Sequence, residues 1–172
     1  MAILYILSKL SLASAFTYSF ATKVRAPGTL VGQLGLVVRF PRPWLWALAL
    51  SVMAGELISV LALLTTDSLG FVASLVLLIS FTGYLATIIR RKQAVSCACA
   101  GDSGTPVSST HIVRNSLLLL LAAAGILLDP VGIGDNWVYY AMAFGPAVLL
   151  GVGLLHFAEI VQFFTFDVTV SQ

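Results

Sequence analysis

Apolar residues run along the chain in five long blocks: residues 3–21, 44–64, 69–89, 112–128 (strictly apolar only from Ser116 onward) and 137–160. Each is at or near the ~20 residues that an α-helix needs to cross a bilayer. None alternates with the period of two that marks a barrel strand. The pattern predicts an all-α polytopic membrane bundle with four or five transmembrane helices. Only residues 65–68 separate the second and third blocks, so these two must form an antiparallel hairpin. The Pro, Gly and Asp content of residues 129–135 reads as a turn, and it predicts that the fourth and fifth spans pair in the same way.

The two longer connections differ in character. Within residues 22–43, the stretch 28–38 is too apolar for a solvated loop and too short to cross. It reads as a partial helix packed on the bundle after the first span, ended by Pro41 and Pro43. Residues 90–114 carry most of the polar chemistry, including both cysteines. Ala13, Ser14 and Ala15 resemble a signal cleavage site, but no basic segment precedes them and Lys9 interrupts the apolar run. The first helix is therefore expected to be retained.

Composition narrows the class further. Of 172 residues, 59% are hydrophobic and 9% charged, and mean hydropathy is +1.03. Soluble domains carry about 25% charge, so a water-soluble globular fold is excluded, as are a disordered chain and a disulfide-stapled mini-domain. Residues 1–172 form one transmembrane domain, with no outside segment long enough to bury a core of its own.

The few charges are one-sided. Lys23, Arg25, Arg39 and Arg42 lie in the first connection, and Arg90, Arg91, Lys92 and Arg114 in or beside the third. In a serpentine bundle these connections share one side, while the opposite side holds Asp67, Asp129 and Asp135. The positive-inside rule places both basic connections in the cytoplasm and the N-terminus outside. The net charge of +2 is thus a topology signal, with no footprint for nucleic acid.

Cys97 and Cys99 are one residue apart in Ser96-Cys97-Ala98-Cys99-Ala100-Gly101. Two thiols this close form only a small, strained disulfide ring, which suits exchange better than stapling. Upstream cations and the start of the next helix both favour the reactive thiolate. Gly101 and Gly104 let the loop fold back toward the bundle. Two other readings stay open: incidental cysteines in a loop, or a metal site with His111, for which no fourth ligand is evident.

Four elements spread over most of the chain resemble the MauE-type methylamine utilisation membrane proteins, relatives of the DoxX-like group. The first span ends in Ala15-Phe16-Thr17-Tyr18-Ser19-Phe20-Ala21-Thr22-Lys23, similar to that family's aromatic run closed by a lysine. The second span carries Glu56 in Ala54-Gly55-Glu56-Leu57. Cys97-Ala98-Cys99-Ala100-Gly101 is like the family's Cys-x-Cys-Phe-Gly, with Ala100 in place of the phenylalanine, and Arg114-Asn115 opens the fourth span as an Arg-Asn pair does there. The resemblance implies a membrane thiol–disulfide protein that assists maturation of an amine dehydrogenase small subunit beside a thioredoxin-like partner. In outline the arrangement also looks like vitamin K epoxide reductase, where a partial helix follows the first span and redox cysteines precede the fourth. That likeness implies an extracytoplasmic Cys-x-Cys loop and admits quinone as electron acceptor, whereas the charge count implies a cytoplasmic loop.

Lys9, Glu56, His156 and Glu159 fall inside the spans, where ionisable groups are costly and usually face a bundle interior. Glu56 and the His156–Glu159 pair, three residues apart, read either as a proton relay or quinone contact serving the cysteines, or as structural polar pairs. Lys9 is placed to snorkel or to pair with Glu56. Arg114 reads as an interface anchor and Asn115 as a helix cap. Trp44, Trp46 and Trp137 read as interface anchors. A non-enzymatic membrane subunit or small-solute permease, with Glu56 and His156 lining a path, is the alternative function. No nucleotide loop, zincin helix or nucleophile elbow is present.

Overall fold

The computed structural model describes residues 2–38, 40–91, 109–128 and 137–157. Cys97, Cys99, Gly101 and Glu159 lie outside the described residues. Six helices are present among the described ones: α1 (Ala2–Arg25), α2 (Pro27–Val37), α3 (Arg42–Thr65), α4 (Asp67–Arg90), α5 (Ser109–Leu127) and α6 (Trp137–Leu155). All but α2 are long and apolar enough to cross a membrane, so the chain is a multi-pass helical membrane protein with five candidate spans. At ~1.5 Å per residue, the eleven residues of α2 reach only about 16 Å, less than the ~30 Å hydrocarbon core. It is the partial helix that the sequence pattern predicts.

Proline and backbone geometry set the breaks. Pro27 starts α2 in the first turn, where its missing N–H costs nothing, and Pro41 and Pro43 flank the start of α3. Thr66 alone, extended at φ −137° and ψ 105°, joins α3 to α4. The hairpin closes tightly there because Gly70 lets the two backbones meet. A Cβ at Gly70 would lie 2.5 Å from the backbone of Leu63.

α1 is the hub of the bundle. Of its span, 56% is buried, against 22% for each of α3, α4 and α6. Its principal neighbours are α6, α3 and α5. The main core joins Tyr5, Ile6, Leu12 and Phe16 of α1 to Leu63, Phe71, Leu78 and Leu118. The Tyr5 and Phe71 rings tilt against each other at 5.4 Å. A second, smaller core seats α2 through Leu30, Val31 and Leu34 on Leu45 and Ala49 of α3. Tyr84 of α4 and Arg91, just beyond its end, also hold α2: the Tyr84 hydroxyl donates to the Gln33 carbonyl (3.3 Å), and Arg91 donates to the Val37 carbonyl (3.0 Å).

The expected pairing of the last two spans is corrected by the structure. α6 packs along α1 and barely touches α5. The reason is a stripe of small residues, Ala143, Ala147 and Gly151, that recurs every fourth position and is buried against α1. Small side chains permit close helix approach in lipid, where no hydrophobic force drives helices together. At Gly151 a Cβ would lie 2.4 Å from the Ser11 carbonyl oxygen, so the two backbones are nearly in contact.

Candidate functional site

The interior of the bundle contains a layer of polar side chains drawn from α1, α3 and α5, joined by a backbone carbonyl of α6. Ser19 and Lys23 are four residues apart on α1 and so share one helix face. Both reach Glu56 on α3. The Ser19 hydroxyl donates to Glu56 Oε1 (2.9 Å), Lys23 Nζ donates to the Ser19 hydroxyl (2.6 Å), and Lys23 Nζ forms a direct ion pair with Glu56 Oε1. Lys23 is 2% exposed and Glu56 1%. The Phe81 ring covers the ammonium, its centroid 4.9 Å from Nζ.

Depth makes this pair unusual. Glu56 lies 14 residues after Arg42 and 9 before Thr65 in α3, so by helical rise it is roughly 21 and 13 Å from the two ends. A buried carboxylate so far from either end of its spanning helix persists only when paired and hydrogen-bonded. Lys23 and Ser19 supply that pairing.

Arg114 and Asn115 enter from α5. Both are buried, Arg114 at 2% exposure, which corrects two expectations. Arg114 points inward instead of anchoring the helix at the interface, and Nη1 donates to the Leu155 carbonyl at the end of α6 (3.2 Å). Asn115 is not a cap, because α5 begins six residues earlier at Ser109. Its Oδ1 lies 3.5 Å from Arg114 Nη2. Arg114 Nε has no hydrogen-bond partner among the described residues. A cavity of about 30 Å³ sits in this layer, walled by Ser19, Glu56, Phe81, Arg114 and Asn115 together with apolar side chains.

Four candidate residues that lie far apart in sequence, Lys23, Glu56, Arg114 and Asn115, are therefore brought into one place. His156 is not part of it. Its Nε2 is 3.1 Å from the Tyr18 hydroxyl, and the two rings meet edge to face at 5.4 Å. Tyr18 and Ser19 are consecutive on α1 and so point about 100° apart, which separates His156 from Glu56. Lys9 does not reach Glu56 either; its Nζ lies 6.0 Å from the Tyr140 ring centroid. His111 is buried one turn before Arg114. No group of three metal-ligating side chains occurs among the described residues, and the cysteines of the candidate metal site lie outside them. Sequence reading missed Ser19 as the bridge and the Leu155 carbonyl as the Arg114 acceptor. The four-residue spacing of Ser19 and Lys23 was a usable signal for the first; a backbone acceptor leaves none.

Residues 1–128 match the family described as methylamine utilisation protein MauE. That stretch contains both cysteines and the whole polar layer except Leu155, and ends before His156. No curated protein and no solved structure matches the chain.

Proposed function

The chain belongs to the MauE family of methylamine utilisation proteins, and on that footing we propose that it is a membrane thiol–disulfide protein. Its working groups in this reading are Cys97 and Cys99, and its task is disulfide formation in a partner during maturation of an amine dehydrogenase small subunit. The reading rests on one observation above others. Ten residues after Cys99, α5 begins, and its Arg114 and Asn115 complete the buried polar layer with Lys23 and Glu56. Three of the four elements that carry the family resemblance, those of Lys23, Glu56 and Arg114-Asn115, thus converge in space on the helix that follows the dithiol in sequence.

The chemistry is a two-electron exchange. A partner thiolate attacks the Cys97–Cys99 disulfide, whose S–S bond breaks as a mixed disulfide forms. The partner's second thiolate then displaces the remaining cysteine. The partner gains a disulfide and loses two electrons; the pair gains two electrons, and the partner's two thiol protons end on Cys97 and Cys99. Return to the disulfide hands two electrons and two protons to an acceptor such as quinone, giving quinol. Gly101 supplies the backbone freedom that the loop needs to present the pair. A thioredoxin-like protein is the natural exchange partner, because its own paired cysteines run the same reaction.

The alternative, a non-enzymatic subunit or permease with a Glu56–His156 path, has less to stand on. Glu56 is neutralised by Lys23, and His156 is held on a different face of α1. Labelling intact cells with a membrane-impermeant thiol reagent, before and after reduction, tests the redox reading and the side of the membrane together. Labelling that appears only after reduction, and disappears in the Cys97→Ser, Cys99→Ser variant, is the expected result. A pair that never oxidises in vivo, or full function without either cysteine, overturns it. Labelling from outside assigns the loop to the extracytoplasmic face; protection until lysis assigns it to the cytoplasm, as the eight basic residues favour.

A further inference from the structure

We infer that the groove between α2 and α3 is a binding site for one anionic phospholipid, with its phosphate on Arg42 and an acyl chain along the bare face of α2. Gly28, Gly32 and Gly35 recur at steps of four and three residues and so share one face of α2. They line a groove of about 310 Å³ whose other wall includes Arg42, Leu45 and Trp46 of α3. The protein itself accounts for Gly35, where a Cβ would press on Leu45 Cδ1 at 3.2 Å. It does not account for Gly28 and Gly32, where a Cβ meets nothing within 4 Å among the described residues. Glycine weakens a helix. Two glycines that no neighbour requires, in a helix of eleven residues, therefore point to an occupant from outside the chain.

The opposite wall selects that occupant by charge and depth. Arg42 is the first residue of α3, a candidate span of 24 residues and so about 36 Å long. That length exceeds the ~30 Å hydrocarbon core, so Arg42 stands at headgroup depth. Its side chain is exposed, and the first turn of α3 holds no acidic residue to engage it. Trp46, one turn further on, is 38% exposed, an amphipathic ring of the kind that settles at the headgroup boundary. Beside them Leu45 gives the groove an apolar floor. A cation at the mouth and an apolar floor beneath it complement a lipid phosphate and the chain attached to it. Inorganic phosphate answers the cation and leaves the floor unfilled, whereas an apolar helix fills the floor and leaves the cation. An anionic lipid has no ammonium of its own to offset its phosphate, so it meets Arg42 more strongly than a zwitterionic one.

The test uses the full chain, delipidated in a neutral detergent, with phosphatidylglycerol or phosphatidylcholine of identical acyl chains added at equal mole fraction. A ligand that binds only the folded state raises Tm. Phosphatidylglycerol is expected to raise Tm by about 3 °C more than phosphatidylcholine, in step with a roughly five-fold tighter one-to-one adduct in native mass spectrometry. Arg42→Gln is expected to abolish that preference, and Gly32→Leu, which fills the groove, to abolish the adduct of either lipid. Arg25→Gln removes an exposed cation that does not line the groove and is expected to keep the preference. Arg42→Gln changes an exposed side chain and decides the matter even if Gly32→Leu does not fold. The Cys97→Ser, Cys99→Ser variant is expected to keep the lipid preference, so this inference and the redox reading fail independently. Equal responses to the two lipids, a preference that survives Arg42→Gln, or one lost equally in Arg25→Gln overturns the site. So does a delipidated dimer that Gly32→Leu dissociates and phosphatidylglycerol leaves intact, which assigns the groove to a second copy of the chain.

Discussion

The Lys23–Glu56 pair allows a prediction in which the double substitution is far milder than either single one. Removing one partner of a buried ion pair strands the other, at a cost of about 3–5 kcal/mol, whereas replacing both by apolar side chains of similar volume is often neutral or stabilising. Three details of this site refine the magnitude. Both side chains are at most 2% exposed, so water does little to relieve a stranded charge. Ser19 still offers either partner one hydrogen bond. Phe81 attracts the ammonium but does nothing for a carboxylate. Glu56→Leu and Lys23→Met should therefore each fall in the range of about 3–5 kcal/mol. Glu56→Gln should sit at or below the lower end, because its carbonyl oxygen still accepts from Lys23. The Lys23→Met, Glu56→Leu double variant should lie within about 1 kcal/mol of wild type. The two singles then sum to at least ~6 kcal/mol, so the double-mutant cycle shows a coupling of about 5 kcal/mol or more. Unfolding in mixed detergent micelles, followed by tryptophan fluorescence, measures all four proteins under one condition. Single variants within 1 kcal/mol of wild type would show that the pair is hydrated. A double variant as damaged as the sum of the singles would show that the two residues do not interact. Either result refutes the buried layer on which the site is built.

Glycine substitutions should divide sharply by what a new Cβ meets. Gly70→Ala and Gly151→Ala run into backbone atoms of Leu63 and Ser11 and should cost about 1–3 kcal/mol or more in the same unfolding assay. Gly28→Ala and Gly83→Ala meet nothing within 4 Å inside helices and should stabilise by about 0.5–1 kcal/mol. Tyr18→Phe should cost about 1 kcal/mol through the lost hydrogen bond to His156. It should leave cysteine labelling unchanged, because that contact lies apart from the polar layer. Arg91→Ala should speed amide hydrogen exchange at the C-terminal end of α2, where its guanidinium now satisfies the Val37 carbonyl, without altering overall unfolding.

Helix positions were readable in the sequence because lipid leaves the backbone no other option: an apolar run of the right length must be helical. The starts of α1, α3, α4 and α6 fall within two residues of the apolar block edges. α5 starts three residues early, since the polar Ser109, Thr110 and His111 continue the helix that the hydropathy count had excluded. The choice of lysine for Glu56 was not readable. Lys9 and Lys23 are 14 residues apart, nearly four full turns, so both fall on almost the same face of α1. Only the relative depth of α1 and α3, a tertiary quantity, selects Lys23. Arg114 was misread for a related reason. An arginine near a helix start resembles an anchor, and nothing local reveals that the end of α6 supplies a carbonyl for it. The α1–α6 pairing was hidden because chain adjacency favours α5, while the Ala143, Ala147 and Gly151 stripe becomes informative only once Ser11 is known to face it.

That α1–α6 contact sets a schedule for biogenesis. Of the described helices, the first to be made, α1, carries Ser8, Lys9 and Ser11 on its buried face, and the helix that covers much of its length is the last described one to be made. Between Arg25 and Leu155 the ribosome adds 130 residues, which at ~5–20 residues per second takes roughly 7–26 s. During that interval the hub of the bundle holds polar groups toward lipid or toward the insertion machinery. α1 must therefore either linger beside the translocon or depend on an insertase until its partner arrives. A chain stopped before α6 should be handed to quality-control proteases, even though its first four spans are complete.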